Sequence, residues 1–175
     1  MRPFLPVAAA LLAALALALP GRARALGPAF PQLLRRPSPR LPVPVEGVRA
    51  AWIGPGFGSP RSGGRRHQGL DIFAPRGAAV RSATEGAVAR VGWDRLGGRV
   101  VTVLGPGGEW HYYAHLETWG PVREGQRVKA GQLLGTVGDS GNARGTPPHL
   151  HYGIYGFWGR ARDPFGRIRG RPAAS

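Results

Sequence analysis

The sequence predicts one small all-β domain, mainly antiparallel, with a groove lined by histidines. Three observations carry that expectation. Between about residues 46 and 166, short apolar runs alternate with glycine-rich turns. The runs are rich in β-branched and aromatic residues, which suit a pleated surface. No stretch of this region joins a helical apolar period to caps, and 29 glycines with 18 prolines in 175 residues interrupt any long helix.

Residues 1–25 read as an export signal. Met1-Arg2 is a short basic start, residues 7–19 are an unbroken run of Val, Ala and Leu, and Ala23-Arg24-Ala25 fits a small-x-small cleavage site. The run falls short of the ~20 residues that span a bilayer, so no stable membrane insertion is expected after signal removal. Pro28, Pro31, Pro37, Pro39, Pro42 and Pro44 make residues 26–45 a stiff, extended linker. Strands are expected at 48–53, 79–82, 87–91, 99–104, 110–115, 133–137 and 149–155. Gly97-Gly98 and Pro106-Gly107-Gly108 supply turns for an antiparallel meander, and residues 122–134 read as a tight turn between two strands. Residues 167–175 lack an apolar pattern and read as a disordered basic tail.

The formal net charge is +15, and Lys129 is the single lysine among 24 basic side chains. A nucleic-acid footprint would be clustered and joined to a base-reading motif. Here the arginines are scattered, with small knots at Arg35-Arg36, Arg65-Arg66 and within 167–171. Nucleic acid is therefore not expected as a partner, whereas attraction to an anionic surface is compatible with the charge. There is no cysteine, so neither a disulfide nor a lipid-attachment thiol is available. Core burial, aided by a bound metal, must then hold the domain.

All five histidines fall in three short groups: His67-Gln68-Gly69-Leu70-Asp71, His111-Tyr112-Tyr113-Ala114-His115, and His149-Leu150-His151. On a strand, His149 and His151 point to one face and Leu150 to the other. Pro147-Pro148 forces an extended entry to that strand. The His67 to Asp71 segment contains Gly69 and follows Gly63-Gly64, so a loop leading into a strand fits better than a helix. His67, Asp71 and one imidazole from His149 or His151 would make three metal ligands, leaving a fourth position for water, as in catalytic zinc sites. Glu85, Glu109, Glu117, Glu124 and Asp139 sit in turn or strand contexts without a general-base motif. The remaining histidines would then move protons, a task for which imidazole is well tuned.

Gly56-Phe57-Gly58, His67-Gln68-Gly69-Leu70-Asp71, Glu85-Gly86-Ala87-Val88, Tyr112-Tyr113-Ala114-His115-Leu116, Pro148-His149-Leu150-His151-Tyr152 and Asp163-Pro164 follow one another over residues 46–166. In that order they resemble the lysostaphin-like zinc metallopeptidases, which cut peptide bonds of bacterial peptidoglycan. The resemblance implies an open, sandwich-like β core with loops walling a narrow groove. It implies one zinc per chain on His67, Asp71 and His151, with His115 and His149 as the catalytic pair. It also implies an exported zinc metalloendopeptidase acting on peptidoglycan peptide cross-links in the periplasm or cell wall. How His115 and His149 divide their roles is left open. His111 matches no catalytic position, and a solvated rim residue is expected there. Two departures stand out: Gly153 replaces the Glu that many members carry, and the loop 138–148 is longer than the common version. An arginine rim of Arg65, Arg66 and Arg144 is expected to attract substrate carboxylates. Trp110, Tyr112, Tyr113, Tyr152, Tyr155 and Trp158 are expected in the core or the groove wall.

Two other classes compete with this one. Some proteins of this fold have lost ligands and regulate cell-wall amidases without catalysis, but here all five residues are present. Residues 77–88 and 122–134 also resemble biotinyl and lipoyl carrier domains. Lys129, however, does not sit at a hairpin tip in the attachment motif.

Overall fold

The computed structural model describes residues 33–170. Nine strands form one antiparallel sheet: β1 (Leu70–Phe73), β2 (Ala79–Arg81), β3 (Gly86–Asp94), β4 (Gly98–Leu104), β5 (Trp110–Trp119), β6 (Arg127–Val128), β7 (Leu133–Val137), β8 (His149–Tyr155) and β9 (Ala161–Arg162). A single helical turn, α1 (Phe165–Ile168), follows. The main path runs β1-β8-β5-β4-β3-β6, with β2 on β7, β7 on β5, and β9 on β8. No helix among the described residues is long and apolar enough to cross a membrane.

Strand β5 organises the molecule because it changes partner midway. Trp110 to Ala114 pair with β8, and Leu116 to Trp119 pair with β7. His115 is the residue between the two pairings. On the β4 side, Val101 faces Tyr113 and Arg99 faces Leu116, so Ala114 and His115 together occupy the space of one residue. This is a β-bulge, which bends the strand and breaks its in-out alternation. The open sheet curls there, and the groove lies over the bend.

Alternation elsewhere separates core from groove. In β8, Leu150, Tyr152 and Ile154 are fully buried, while His149 and His151 face the other side. Strand β1 follows the same rule, with Leu70 and Ile72 buried and Asp71 and Phe73 on the groove face. The register pairs Asp71 with His151 and Phe73 with His149, so the two strands bring their polar residues to one face. Val80, Val88, Val101, Val103, Leu134 and Val137 complete the main core. Truncating a fully buried residue such as Leu150 to Ala would cost about 2–5 kcal/mol.

The boundaries differ from expectation in three places. Residues 48–53 form no strand; Ala50–Trp52 make a 3-10 turn closed by Trp52 N–H to Arg49 O and Ile53 N–H to Ala50 O. Only Ile53 of that segment is buried, and no neighbouring strand pairs with it. The linker assignment fails for its last residues. Leu41, Val43 and Val45 alternate with prolines and thus present one apolar face, which packs on the core while Val45 bridges Val80. The tail assignment fails for its first residues. Ile168 is buried, Arg167 donates to Glu109 and Ser38, and Leu41 N–H bonds Arg167 O. The export signal, residues 26–32 and residues 171–175 lie outside the described residues.

Candidate active site

Three ligand atoms converge on the groove floor. His67 Nε2 lies 3.0 Å from Asp71 Oδ1 and 3.0 Å from His151 Nδ1, and His151 Nδ1 lies 3.1 Å from Asp71 Oδ1. His67 Nδ1–H donates to the Gly56 carbonyl at 2.8 Å, which leaves its Nε2 with a lone pair. The carboxylate oxygen carries lone pairs as well, so His151 Nδ1 can place at most one hydrogen among the three atoms. Such a set is ill-satisfied by hydrogen bonding alone and fits a divalent cation. Burial pushes the Asp71 carboxyl up, but the adjoining His151 and His67 imidazoles outweigh it and hold it well below the usual carboxylate range. Burial also lowers His151, against the pull of Asp71.

Local backbone makes the convergence possible. Gly69 leaves room for the His151 ring: a Cβ there would stand 2.5 Å from the Tyr152 carbonyl and 2.9 Å from the imidazole. Arg61 bonds the outer oxygen of Asp71, Oδ2, so that Oδ1 alone faces the histidines. This outer partner escaped the sequence reading because no motif spacing links it to Asp71.

The two other predicted residues lie beside the set. His149 Nε2 is 3.9 Å from Asp71 Oδ1, and the His115 and His149 rings are 5.0 Å apart, edge to face. His149 Nδ1–H donates to Pro147 O at 2.9 Å and His115 Nδ1–H to Ser140 O at 2.8 Å. Carbonyls only accept, so both rings keep Nε2 as a lone pair. Burial lowers the His115 pKa to about 4, although the Ser140 carbonyl opposes that shift.

His115 reaches this position through a left-handed backbone, φ 62°, the single positive φ outside glycine among the described residues. That conformation costs about 1–3 kcal/mol and persists only where its surroundings fix it. Here His115 N–H bonds Gly97 O at 2.7 Å, while Ser140 Oγ donates to Leu116 O and accepts from Arg99 N–H. Ser140 thus ties the loop before β8 to both flanks of the bulge, a role that sequence spacing does not announce.

His111 corrects an expectation. It is fully buried rather than solvated at a rim, and its Nδ1 pairs with the Tyr152 hydroxyl at 2.7 Å. Regular alternation would put His111 and His115 on one face, but the bulge turns His115 to the groove and leaves His111 in the core. Burial, with Arg167 nearby, pushes His111 down to about 3.

The groove has a volume of about 1220 Å³, roomy beside the ~300–1,000 Å³ typical of small-molecule pockets. Asn142, Ala143, Thr146 and Pro147 of the 138–148 loop line it, as do Arg61, Arg65, Arg66 and Arg95. Arg144, expected at the rim, is not among the lining residues. Tyr112 and Tyr155 line the groove and Tyr113 and Tyr152 lie in the core, but Trp158 is 88% exposed and belongs to neither. At Gly153 an added Cβ would stand 3.0 Å from the Tyr155 ring and 3.1 Å from Gln68 O, so a side chain there would have to displace Tyr155.

An open β groove with converging ligand atoms and two free imidazole nitrogens has the parts of a metallopeptidase. Residues 65–164, more than half of the chain, match Peptidase family M23, and the chain belongs to that family. It is 39% identical over 143 residues to the L-Ala–D-Glu endopeptidase of Bacillus subtilis, covering 74% of this chain and 42% of that protein. It is 36% identical over 112 residues to the glycyl-glycine endopeptidase ALE-1 of Staphylococcus capitis, covering 59% of this chain and 30% of that protein. The chain thus spans less than half the length of these relatives. Among solved structures, the catalytic domain of the antimicrobial peptidase lysostaphin from Staphylococcus simulans superposes with a TM-score of 0.60 at 30% identity, over 67% of this chain and 91% of that one.

Proposed function

We propose that the chain is an exported zinc endopeptidase that hydrolyses peptide bonds of bacterial peptidoglycan, cross-links among them. His67 Nε2, Asp71 Oδ1 and His151 Nδ1 would hold one zinc ion, a borderline cation suited to two imidazoles and a carboxylate. Bound there, zinc supplies Lewis acidity and brings the pKa of water to about 7. The chain's own residues supply the proton traffic. One of His115 and His149 takes a proton at Nε2 from the attacking water and later gives it to the departing amine. The other, once protonated, donates to the scissile carbonyl oxygen as negative charge builds there. Burial favours neutral His115 at neutral pH, the state a proton acceptor needs.

The observation that supports this reading is the meeting of all five residues in one groove, each ring oriented through a backbone carbonyl or Asp71. The relatives named above are endopeptidases for a bond to D-Glu and for a bond between glycines, so wall peptides are the substrate class carried over. An export signal at 1–25 would deliver the enzyme to the periplasm or cell wall.

The test is elemental analysis of the purified protein joined to digestion of peptidoglycans of several cross-link types, with and without chelator. About one zinc per chain and chelator-sensitive release of peptides are expected. Undiminished hydrolysis by metal-free protein would falsify the mechanism.

A further inference from the structure

We infer that the groove selects acidic peptides, with a free carboxylate within a residue or two of the scissile bond, through Arg65 and Arg66 on one wall and Arg95 on the other. This rests on the endopeptidase reading and names the substrate chemistry of the same groove. The sheet order β1-β8-β5-β4-β3 fixes the two walls. The segment before β1 carries Arg65 and Arg66 along one side of the floor, and the β3–β4 turn carries Arg95 along the other.

Among the described residues, no carboxylate of the groove forms an ion pair with these three arginines. The groove's two acids are Asp71 and Asp94. Asp71 faces His67 and His151 with one oxygen and Arg61 with the other. Asp94 accepts from the Gly97 N–H and, at 2.5 Å, from the Tyr112 hydroxyl. The remaining acids are engaged elsewhere. Glu46, Glu85 and Glu109 pair with Arg81, Arg35, and Arg162 with Arg167, while Glu117 and Asp139 both hold Arg76. Glu124 and Asp163 accept from backbone N–H groups of Val91 and Phe165. Composition alone would put arginines anywhere. Other arginines of the surface also lack a carboxylate partner among the described residues; what sets Arg65, Arg66 and Arg95 apart is that they line the groove.

Two of the three are also held in place. Arg65 donates Nε and one Nη to Ser62, at 3.1 and 3.3 Å, and Arg66 donates Nη1 to Gly58 O at 3.0 Å. Each keeps further N–H groups for a ligand, since a guanidinium carries five. Arg95 has no hydrogen bond or ion pair among the described residues. Arginine's planar fork matches a carboxylate in two-point geometry. A cation in the His67–Asp71–His151 set would add to the positive field of the groove. A neutral glycine bridge gains nothing from these donors, whereas a wall peptide with a free carboxylate does.

The experiment uses one stem-type peptide in two forms, with the acidic residue's carboxylate free or amidated, and a neutral pentaglycine peptide. Cleavage by the zinc-loaded protein is followed from low to high salt, and binding of the same labelled peptides is measured in parallel. The free acid should be favoured about ten-fold in kcat/KM, mostly through KM, with the preference shrinking as salt rises. Arg95→Gln and the double variant Arg65→Gln/Arg66→Gln should each erode that preference, and Arg95→Lys should restore part of it. Equal handling of free and amidated peptides in both cleavage and binding would overturn the inference. A protein that prefers the free acid in binding but cuts none of the peptides would sustain the inference and sink the endopeptidase reading.

Discussion

Two clusters in this molecule use the same residue types and come to opposite ends. In the groove, His67, His151, Asp71 and Arg61 bring three ligand atoms to within 3.0–3.1 Å of one another. Behind the sheet, His111, Glu109, Arg162 and Arg167 also combine imidazole, carboxylate and guanidinium, all around buried Glu109. There, each Glu109 oxygen accepts from an arginine at 2.8 Å, and His111 Nε2 stands 3.7 Å off with no hydrogen-bond partner among the described residues. The second cluster is a fastener, tying α1 and the approach to β1 onto the sheet. Residue types do not make a metal site; lone pairs aimed at one point do. The histidines of β5 repeat the lesson on one strand, since the bulge turns His115 to the groove and leaves His111 in the core.

The sharpest separation comes from His115→Ala. Loss of a positioned proton-transfer group lowers kcat by about 10²–10⁴-fold. The metal content should stay near that of the parent, because His115 is no part of the converging set. Steady-state kinetics and elemental analysis on one preparation check both halves; loss of metal together with activity would move His115 into the ligand set.

Its counterpart behind the sheet is Glu109→Gln. Removing a buried carboxylate that satisfies two guanidiniums should destabilise the fold by about 3 kcal/mol. Metal affinity and, below the melting transition, kcat should hold. Urea titration gives the first quantity and zinc-competition assays the second. A Glu109→Gln protein of normal stability would show that Ile168 packing and the Arg167 contacts with Ser38 and Leu41 hold α1 without the Glu109 carboxylate.

Much of this was legible in the sequence. The strands at 133–137 and 149–155 are found at those bounds, because Gly or Pro punctuates both ends of each. The five residues of the groove were legible because they sit in short, closely spaced groups. What escaped the reading depends on contacts between distant segments. Residues 48–53 are as apolar as a strand but have no partner edge, and a strand exists only through its neighbour. Leu41, Val43 and Val45 lie among prolines, whose density hid an apolar face. The environment of His111 could not be read because the extra residue in β5 puts His111 and His115, four apart, on opposite faces. Arg61, Ser140 and Arg95 act through loops whose positions local spacing does not encode.

Arg61 offers a subtler break within the groove cluster. It holds the outer oxygen of Asp71, as second partners of metal ligands commonly do, so Arg61→Ala should weaken zinc binding about 10–100-fold. The three ligand side chains would remain, so a saturated enzyme should recover most of its kcat. Zinc competition titration reads the effect directly. Unchanged affinity would reduce the contact to a surface ion pair, for which little energetic effect is expected.

The smallest effect concerns protons and again divides the two histidines of β5. Burial lowers His111 to about 3 and His115 to about 4, from an ordinary 6.5. Between those limits the unfolded chain binds protons that the native chain refuses, so native stability falls as pH falls below about 6.5 and levels off below the native pKa values. One such histidine contributes a slope of up to about 1.4 kcal/mol per pH unit. His111→Gln keeps a polar partner for the Tyr152 hydroxyl but removes the titration. Acidification from pH 7.5 to pH 5 should therefore cost the variant up to about 2 kcal/mol less than it costs the parent, as measured by urea midpoints at the two pH values. Over that range His111 should leave the pH dependence of kcat unmoved, because its ring lies in the core and contacts Tyr152 rather than the groove. A parallel shift of stability and kcat in His111→Gln would mean that the two clusters are coupled through β5 and β8, and that the fastener also sets the chemistry.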